Sequence, residues 1–310
     1  MKIAVLGRTR WLVEAGDLLH QAGHAIVAVA TAQAEPFYKC GPEEFELLSL
    51  RCKADYLGVV SLSDPAIRAR LAAARAELAV SINWPVVLGA NVLDLFPRGV
   101  LNVHCGDLPR YRGNACANWA ILNGEARIGL CVHMMTPGEV DAGPILLRDY
   151  LPISDATYIG DVYAWLDRRV PALLSDAASG FARGEIAPVP QPDDPMLALR
   201  CYPRRPEDGR IDWREPVARV HRLVRASSRP FAGAFAYLED GRRVTIWRAR
   251  PFACRTPFCA VPGQVMLRFE GDPVIACGAG ALRLEEVEVE GVAPDDSKPV
   301  VGRSLRARLT

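Results

Sequence analysis

Along the first half of the chain, short apolar runs alternate with stretches whose apolar residues recur every three or four positions. Residues 2–7 (KIAVLG), 24–31 (HAIVAVAT), 54–60 (ADYLGVV), 78–84 (LAVSINW), 99–104 (GVLNVH) and 128–135 (IGLCVHMM) are continuous apolar runs of strand length. Strands apolar on both faces suit a parallel sheet covered on both sides. Between them, 11–23 and 64–77 carry helical spacing, and a short helix is expected near 91–96. Residues 157–185 read as one long amphipathic helix that closes the unit. The alternation predicts an α/β fold: a Rossmann-like, doubly wound, mainly parallel sheet. Its first turn, GRTRWL, lacks the G-x-G-x-x-G spacing that holds a dinucleotide, so a nicotinamide cofactor is not expected.

The pattern changes after the long helix. Residues 186–195 (IAPVPQPDDP) hold four prolines in ten and read as a stiff linker. One helix is expected at 215–227, followed by short β-type runs at 233–239, 242–252, 263–269, 273–278 and 282–290. Two-residue alternation is clearest in VTIWRA and RLEEVEVE, which predicts a small all-β domain or barrel. The division expected is a first domain over 1–188, a Pro-rich linker over 189–203 and a second domain over 204–310.

Composition narrows the function classes. The formal net charge is +1, so no bulk field draws the chain to nucleic acid or an anionic membrane, and neither is expected as a partner. The nine cysteines are odd in number and form no C-x-x-C pair, which favours free thiols in a reducing compartment. MKIAVLG reads as a strand rather than a cleavable leader, and no apolar run approaches a membrane span, so a cytoplasmic location is expected. No His, Cys and carboxylate set has metal-ligand spacing, so no metal is expected. His20, His24 and His221 have no chemical neighbours in sequence and read as surface or packing residues. A homodimer is compatible with all of this.

The candidate chemistry lies between Asn102 and Ile145. Asn102 and His104 are two apart at the end of GVLNVH, so they emerge on one side of a strand end. That edge is where open α/β sheets bind ligands. Asp141 opens DAGPI, a Gly/Pro-marked loop able to return a carboxylate to the same edge. Amide, imidazole and carboxylate suit an acyl transfer: one stabilises an oxyanion, one moves a proton, and one fixes the imidazole. Spacing alone leaves open three ordinary polar residues at a sheet edge. Cys105, beside His104, adds a thiol nucleophile as an alternative.

The ordered pattern N-x-H, L-P-x-Y-R-G, N-W-A-I-x-N-G-E, H-M and D-x-G-x-I resembles the 10-formyltetrahydrofolate-dependent formyltransferases. RRPEDGRIDW and VHRLVRASSRPFAGAF are similar to the C-terminal module of the two-domain members, an OB-like β-barrel. The resemblance implies an enzyme with Asn102, His104 and Asp141 as its catalytic trio and 10-formyltetrahydrofolate as formyl donor. It places the pterin cleft at Trp84, Pro85, Val86, Val87, Leu88 and Val140, largely through backbone groups. His133 matches a recurrent family histidine, read here as a core residue that also has the option of supporting the catalytic loop. The sequence departs from the family at Cys105, Gly106 and Asp107, where Asp107 puts a charge in place of an apolar side chain, and at Cys116 and Cys131.

The acceptor is the least determined part. A primary amine on a nucleotide-linked amino sugar is the expected reading, with methionyl-tRNA formyltransferase and 10-formyltetrahydrofolate hydrolase as alternatives. Where tRNA-formylating members carry a basic loop, residues 31–48 (TAQAEPFYKCGPEEFELL) are acidic. Beyond Cys201, Lys and Arg exceed Asp and Glu by only a few, too little for a strong phosphate track. A guanidinium suits a phosphate, so Arg112, Arg204 and Arg205 are candidate anchors, with Asn114 and Trp213 completing the expected acceptor site.

Overall fold

The apolar runs form the strands β1 (Lys2–Gly7), β2 (Ala25–Thr31), β3 (Asp55–Val59), β4 (Leu78–Ile82) and β5 (Val100–His104). After the two-residue β6 (Arg112–Gly113), the chain continues through β7 (Arg127–Met134) and β8 (Ile145–Pro152). The computed structural model describes residues 1–34, 40–59 and 61–310. Residues 35–39 of the acidic segment and Val60 of the third apolar run therefore lie outside the described residues. By internal contacts the chain divides into two units, one of Met1–Cys116, Ile128–Leu151 and Ala164–Cys201, the other of Ala117–Arg127, Pro152–Tyr163 and Tyr202–Thr310.

The first unit holds a seven-stranded sheet of order β3-β2-β1-β4-β5-β7-β8. The pairs from β3 to β5 are parallel, and β7 runs antiparallel to β5. The expected mainly parallel sheet is present, extended at one edge by β7 and β8, which bond to each other in antiparallel fashion. The strand order reverses between β1 and β4, so the carboxyl ends of β1, β4 and β5 open together at the crevice where such sheets take ligands.

Helices α1 (Arg10–Gln21), α2 (Pro42–Cys52), α3 (Pro65–Ala74) and α4 (Ala90–Leu93) connect these strands. The expected helices correspond to α1, α3 and α4, whereas α2 was not foreseen. Its inward residues Phe45 and Leu48 are scattered among glutamates, which blurs the apolar stripe. Its start is nonetheless well specified, with Pro42 in the first turn and Glu43 and Glu44 at the positive end of the helix dipole. Helix α5 (Cys116–Asn123) was likewise hidden within the motif-rich stretch, while α6 (Ile159–Arg183) matches the long closing helix.

Residues 189–201 depart from the expected free linker. Val189 pairs with Ile145 through two backbone hydrogen bonds of 2.8 Å. At the other end, β9 (Arg200–Cys201) pairs in parallel with β6. Proline stiffness explained the composition, but strand pairing binds this segment to the first unit.

In the second unit, α7 (Val217–Ser227) packs on the sheet formed by β10 (Ala234–Tyr237), β11 (Arg243–Phe252), β12 (Val265–Phe269), β13 (Asp272–Ala276) and β14 (Ala281–Val289). The sheet is antiparallel in the order β10-β11-β14-β13-β12. A last helix, α8 (Pro294–Val301), lies against β14. The tail bonds to both edge strands: Tyr237 and Thr310 exchange bonds of 2.9 Å, while Val265 donates to Ala307 at 3.0 Å. The core includes Val224, Ala236, Ile246, Ile275, Leu282 and Leu284.

One buried charge cluster in this unit gives a stability prediction. Asp272, whose side chain is 8% exposed, accepts from Arg283 Nε at 2.6 Å and from Lys298 Nζ at 2.7 Å. Burial alone would raise its carboxyl pKa, but the bonds from Lys298 and Arg283 outweigh burial and lower it. Asp272→Ala should therefore lower stability by about 1–3 kcal/mol at neutral pH, because it leaves Arg283 with the exposed Glu270, at 2.9 Å, as its remaining carboxylate partner. The folded pKa lies below the unfolded value of about 3.9, so the contribution is present above that pH and lost as pH falls through the folded value. Urea denaturation of the two proteins should thus show a gap that narrows under acid.

Candidate active site

Asn102 and His104 lie in the last three residues of β5, whose neighbour β4 sets Ser81 beside Asn102. On the other side, β7 sets His133 opposite Asn102 and Cys131 opposite His104. The strand ladder therefore brings an amide and two imidazoles together before any loop contributes. Asp141 arrives from the turn after β7 and completes the group. Its carboxylate lies 3.3 Å from His104 Nδ1 and 3.4 Å from His133 Nε2, and it accepts from the Gly113 N–H at 2.8 Å.

Two glycines make this approach possible. Gly113 has φ +103°, and a Cβ there would run into the Cys201 carbonyl. A Cβ on Gly143 would strike the Met134 carbonyl, which accounts for the glycine two residues beyond Asp141. Asp141 itself has φ +53°, a left-handed conformation that Asp tolerates better than most residues with a side chain.

The electrostatics separate the roles. Burial is the largest influence on His104 and lowers its pKa, while Asp141 and the Tyr111 carbonyl oppose that shift without cancelling it. The resting ring is therefore neutral near pH 7. Its Nε2 lies 2.6 Å from the Tyr111 carbonyl and its Nδ1 faces the Asp141 carboxylate. Both partners are acceptors, so only the imidazolium donates to both. The site holds a base that is neutral at rest and stabilised once it takes a proton. For Asp141, burial would raise the pKa, but His104, His133 and the Gly113 N–H outweigh it and hold the group well below the usual carboxylate range. His133 Nδ1 donates to the Met134 carbonyl at 2.8 Å, which leaves Nε2 facing the Asn102 amide at 3.1 Å. His133 therefore belongs to the site rather than only to the core.

The loop expected to form a pterin cleft starts at the carboxyl end of β4. Trp84 packs against the first unit's core, where Leu88 is buried, whereas Pro85 is exposed and Val86 and Val87 are 61% and 56% exposed. Val140 is half-buried next to Asp141. Only the middle of this loop presents apolar surface outward.

The expected acceptor residues fare less well. Arg112 donates to Gln191 Oε1 at 2.8 Å, a structural bond within the first unit, and Asn114 is exposed beside it. Arg204 donates to the Asp208 carbonyl at 2.8 Å and stacks over Trp119. Arg205 is exposed and starts a short 3-10 helix, where its N–H donates to Asp208. Trp213, expected as a wall for a base, is instead 4% exposed in the second unit's core. An aromatic and three arginines suggested ligand contacts by residue type; the fold has used most of them for packing and turns.

Cys105 is corrected in the same way. Burial, with Cys131 and Asp141 nearby, pushes its thiol pKa up to about 12, so it supplies no thiolate. Gln191 was missed altogether: its amide donates to the carbonyls of Asp141 and Gly143, both at 2.8 Å. Its place in a Pro-rich run gave no local signal.

Comparison with known proteins agrees with this geometry. A family model described as formyl transferase matches residues 1–177, and one described as formyl transferase, C-terminal domain, matches 204–298. The chain is 33% identical over 316 residues to a methionyl-tRNA formyltransferase of Anaeromyxobacter dehalogenans (strain 2CP-C), covering 99% of this chain and 98% of that protein. An N-formyltransferase from Helicobacter canadensis, solved with folinic acid and dTDP-3-aminofucose, has a TM-score of 0.65 at 14% identity, over 92% of this chain and 98% of that one. HypX from Aquifex aeolicus with tetrahydrofolic acid has a TM-score of 0.60 at 20% identity over 98% of this chain; the match spans about half of HypX, 47%. At such identities the two structures establish the shared fold.

The His104 environment predicts a titration. Its NMR midpoint should lie below the ordinary imidazole value of about 6.5, since burial outweighs the carboxylate. Asp141→Asn removes the opposing charge and should move the midpoint lower still. A midpoint that rises in Asp141→Asn would contradict this assignment of the charges.

Proposed function

The chain belongs to the formyl transferase family, and from that premise we propose that it is an N-formyltransferase that moves a formyl group from 10-formyltetrahydrofolate to the primary amine of a nucleotide-linked amino sugar. The observation that carries the reading is the buried cluster of Asn102, His104 and Asp141 at the carboxyl edge of the sheet. In this reading the amine nitrogen attacks the formyl carbon and a new C–N bond forms. Asn102 Nδ2 donates to the formyl oxygen as it gains negative charge. His104 takes the amine proton and returns it to the departing donor nitrogen as the old C–N bond breaks. Asp141 keeps the imidazolium favourable while it lasts. The outward surface of Val86 and Val87 after Pro85 suits one face of a flat pterin, with Trp84 and Leu88 anchoring the loop from behind.

The acceptor reading rests on charge. A net charge of +1 gives little attraction for a polyanion, whereas a sugar nucleotide requires only a diphosphate contact. The Helicobacter canadensis relative, solved with dTDP-3-aminofucose, is compatible with it. A second reading, methionyl-tRNA as acceptor, is favoured by the 33% identity over 99% of the chain. The OB-like reading of the second unit belongs to the same family resemblance and is supported by the tail that bonds to both edge strands.

Three experiments test the proposal. Reduced or formylated folate at a hundredfold excess over its Kd should stabilise the protein by about 2.7 kcal/mol, read by thermal shift, while NAD should not. Asn102→Ala should lower the rate about 10²–10³-fold, and His104→Ala about 10²–10⁴-fold, with melting temperatures near wild type. A formyl-transfer assay should offer amino-deoxysugar nucleotides, charged initiator tRNA and water alone. Turnover on the sugars is expected; turnover on tRNA alone moves the assignment to the second reading, and formate release without acceptor moves it to a hydrolase.

A further inference from the structure

We propose that Gln191 is a positioning residue that holds Asp141 against His104, with Arg112 as its own anchor. The inference rests on the catalytic reading above and adds a residue to it.

Asp141 occupies a left-handed backbone conformation, uncommon outside glycine although Asp tolerates it better than most residues, and bonds from neighbours are needed to fix its turn in one position. Gln191 is placed to do so. Its Nε2 donates to the carbonyls on either side of Ala142, those of Asp141 and Gly143, each at 2.8 Å. Both amide hydrogens are thereby used. Its Oε1 accepts from Arg112 Nη2 at 2.8 Å, which prevents the amide from rotating away. Gln191 is in turn fixed from both sides. The Val189–Ile145 bridge lies two residues before it, and the β6–β9 pair lies beyond it. The same β6 supplies the Gly113 N–H that binds the Asp141 carboxylate. One segment therefore secures both the backbone and the side chain of Asp141.

The chemistry of the amide makes a sharp distinction between two substitutions. Gln191→Leu removes both donors and the acceptor. Gln191→Glu keeps the size and strengthens the bond to Arg112, but it turns carboxylate lone pairs toward two carbonyls. A residue that merely fills space would tolerate Glu. A residue that acts by donating would not.

The effect should be read at His104. The groups acting on that ring are Asp141 from the turn after β7, His133 on β7, Arg200 on β9 and the Tyr111 carbonyl. Of these, Asp141 is the charge whose withdrawal lowers the His104 midpoint. Loss of Gln191 should therefore lower it too, by way of Asp141.

The test is a cycle of wild type, Gln191→Leu, Gln191→Glu, Asp141→Asn and the Asp141→Asn/Gln191→Leu double variant. For each, the His104 midpoint is measured by NMR and formyl transfer by steady-state kinetics. Gln191→Leu should lower the His104 midpoint, and both Gln191→Leu and Gln191→Glu should lower kcat by up to about a hundredfold with donor KM little changed. In the Asp141→Asn background, Gln191→Leu should leave the midpoint and kcat where they are, because the partner it acts through is already lost. A Gln191→Glu protein with wild-type kcat, or a Gln191→Leu protein with a wild-type His104 midpoint, would overturn the proposal. So would a Gln191→Leu effect that adds in full to Asp141→Asn. Should Gln191→Leu fail to fold, the near-isosteric Gln191→Glu carries the test. The titration needs no acceptor, so a chain without formyl-transfer activity would refute the function and still report on the positioning.

Discussion

An ionised carboxylate that is 12% exposed must be supplied with donors, and Asp141 imposes that demand on the first unit. Leaving such a charge unpartnered costs several kcal/mol, so the fold sets the Gly113 N–H and the His104 ring against it, with His133 Nε2 3.4 Å away. Those commitments propagate. The N–H comes from Gly113, whose close approach to Cys201 requires glycine and ties β6 to β9. His133 is held by the Met134 carbonyl, and its other nitrogen faces Asn102, so the amide that would meet an oxyanion is oriented by the same cluster. Asn102 and His104 need only a strand for their placement; Asp141 needs most of what surrounds them.

The residues that depart from the family pattern become intelligible beside this cluster. Asp107 puts a charge where an apolar side chain is usual, but it faces Arg148 at 3.4 Å and accepts from the Tyr150 hydroxyl at 3.2 Å. Arg148 also donates to the Leu108 carbonyl, so the pair secures the segment leading to Tyr111. The Tyr111 carbonyl then accepts from both His104 and Cys116, the latter at 3.0 Å. A carbonyl has two lone pairs and can serve both. The nearby Cys201 thiol and burial raise the Cys116 pKa and keep it protonated, as that bond requires. These substitutions alter how the base is braced and leave the trio itself intact.

What could be read from the chain follows from the range of the forces involved. Continuous apolar runs report burial on both sheet faces, and the five parallel strands were legible for that reason. Asn102 and His104 were legible because a two-residue period on a strand is a local property. Asp141 required the family pattern, since nothing local says which strand its turn returns to. Gln191 was invisible: its partners are 48 and 50 residues away, and its proline-rich neighbourhood suggested a spacer. Trp213, Arg204 and Arg205 show the opposite case. Their residue types suggested ligand contacts, but tertiary packing and turn geometry had prior claim. The direction of β7, the whole of β8 and the glutamate-rich α2 were missed because strand direction and weak amphipathicity leave little trace in composition.

The same reasoning explains why overall similarity does not settle the acceptor. The 33% identity to a tRNA-formylating protein runs along a scaffold and a reaction core that a formyl transferase needs whatever amine it modifies. The likeness to a protein solved with an amino-sugar nucleotide is likewise one of fold, at 14% identity. Acceptor choice depends on how the rest of the acceptor is held, and here the two classes make opposite demands. A tRNA is gripped through many phosphates, each releasing counterions, so its binding weakens steeply with salt. A sugar nucleotide offers one diphosphate and a base, and its binding depends on a few well-placed groups. A net charge of +1 gives the chain little bulk attraction for a polyanion, and Arg112 and Arg204 are engaged inside their own units. Its acceptor KM should therefore change little between low and moderate salt; a steep rise with salt would instead identify a polyanion as the molecule that brings the amine to His104.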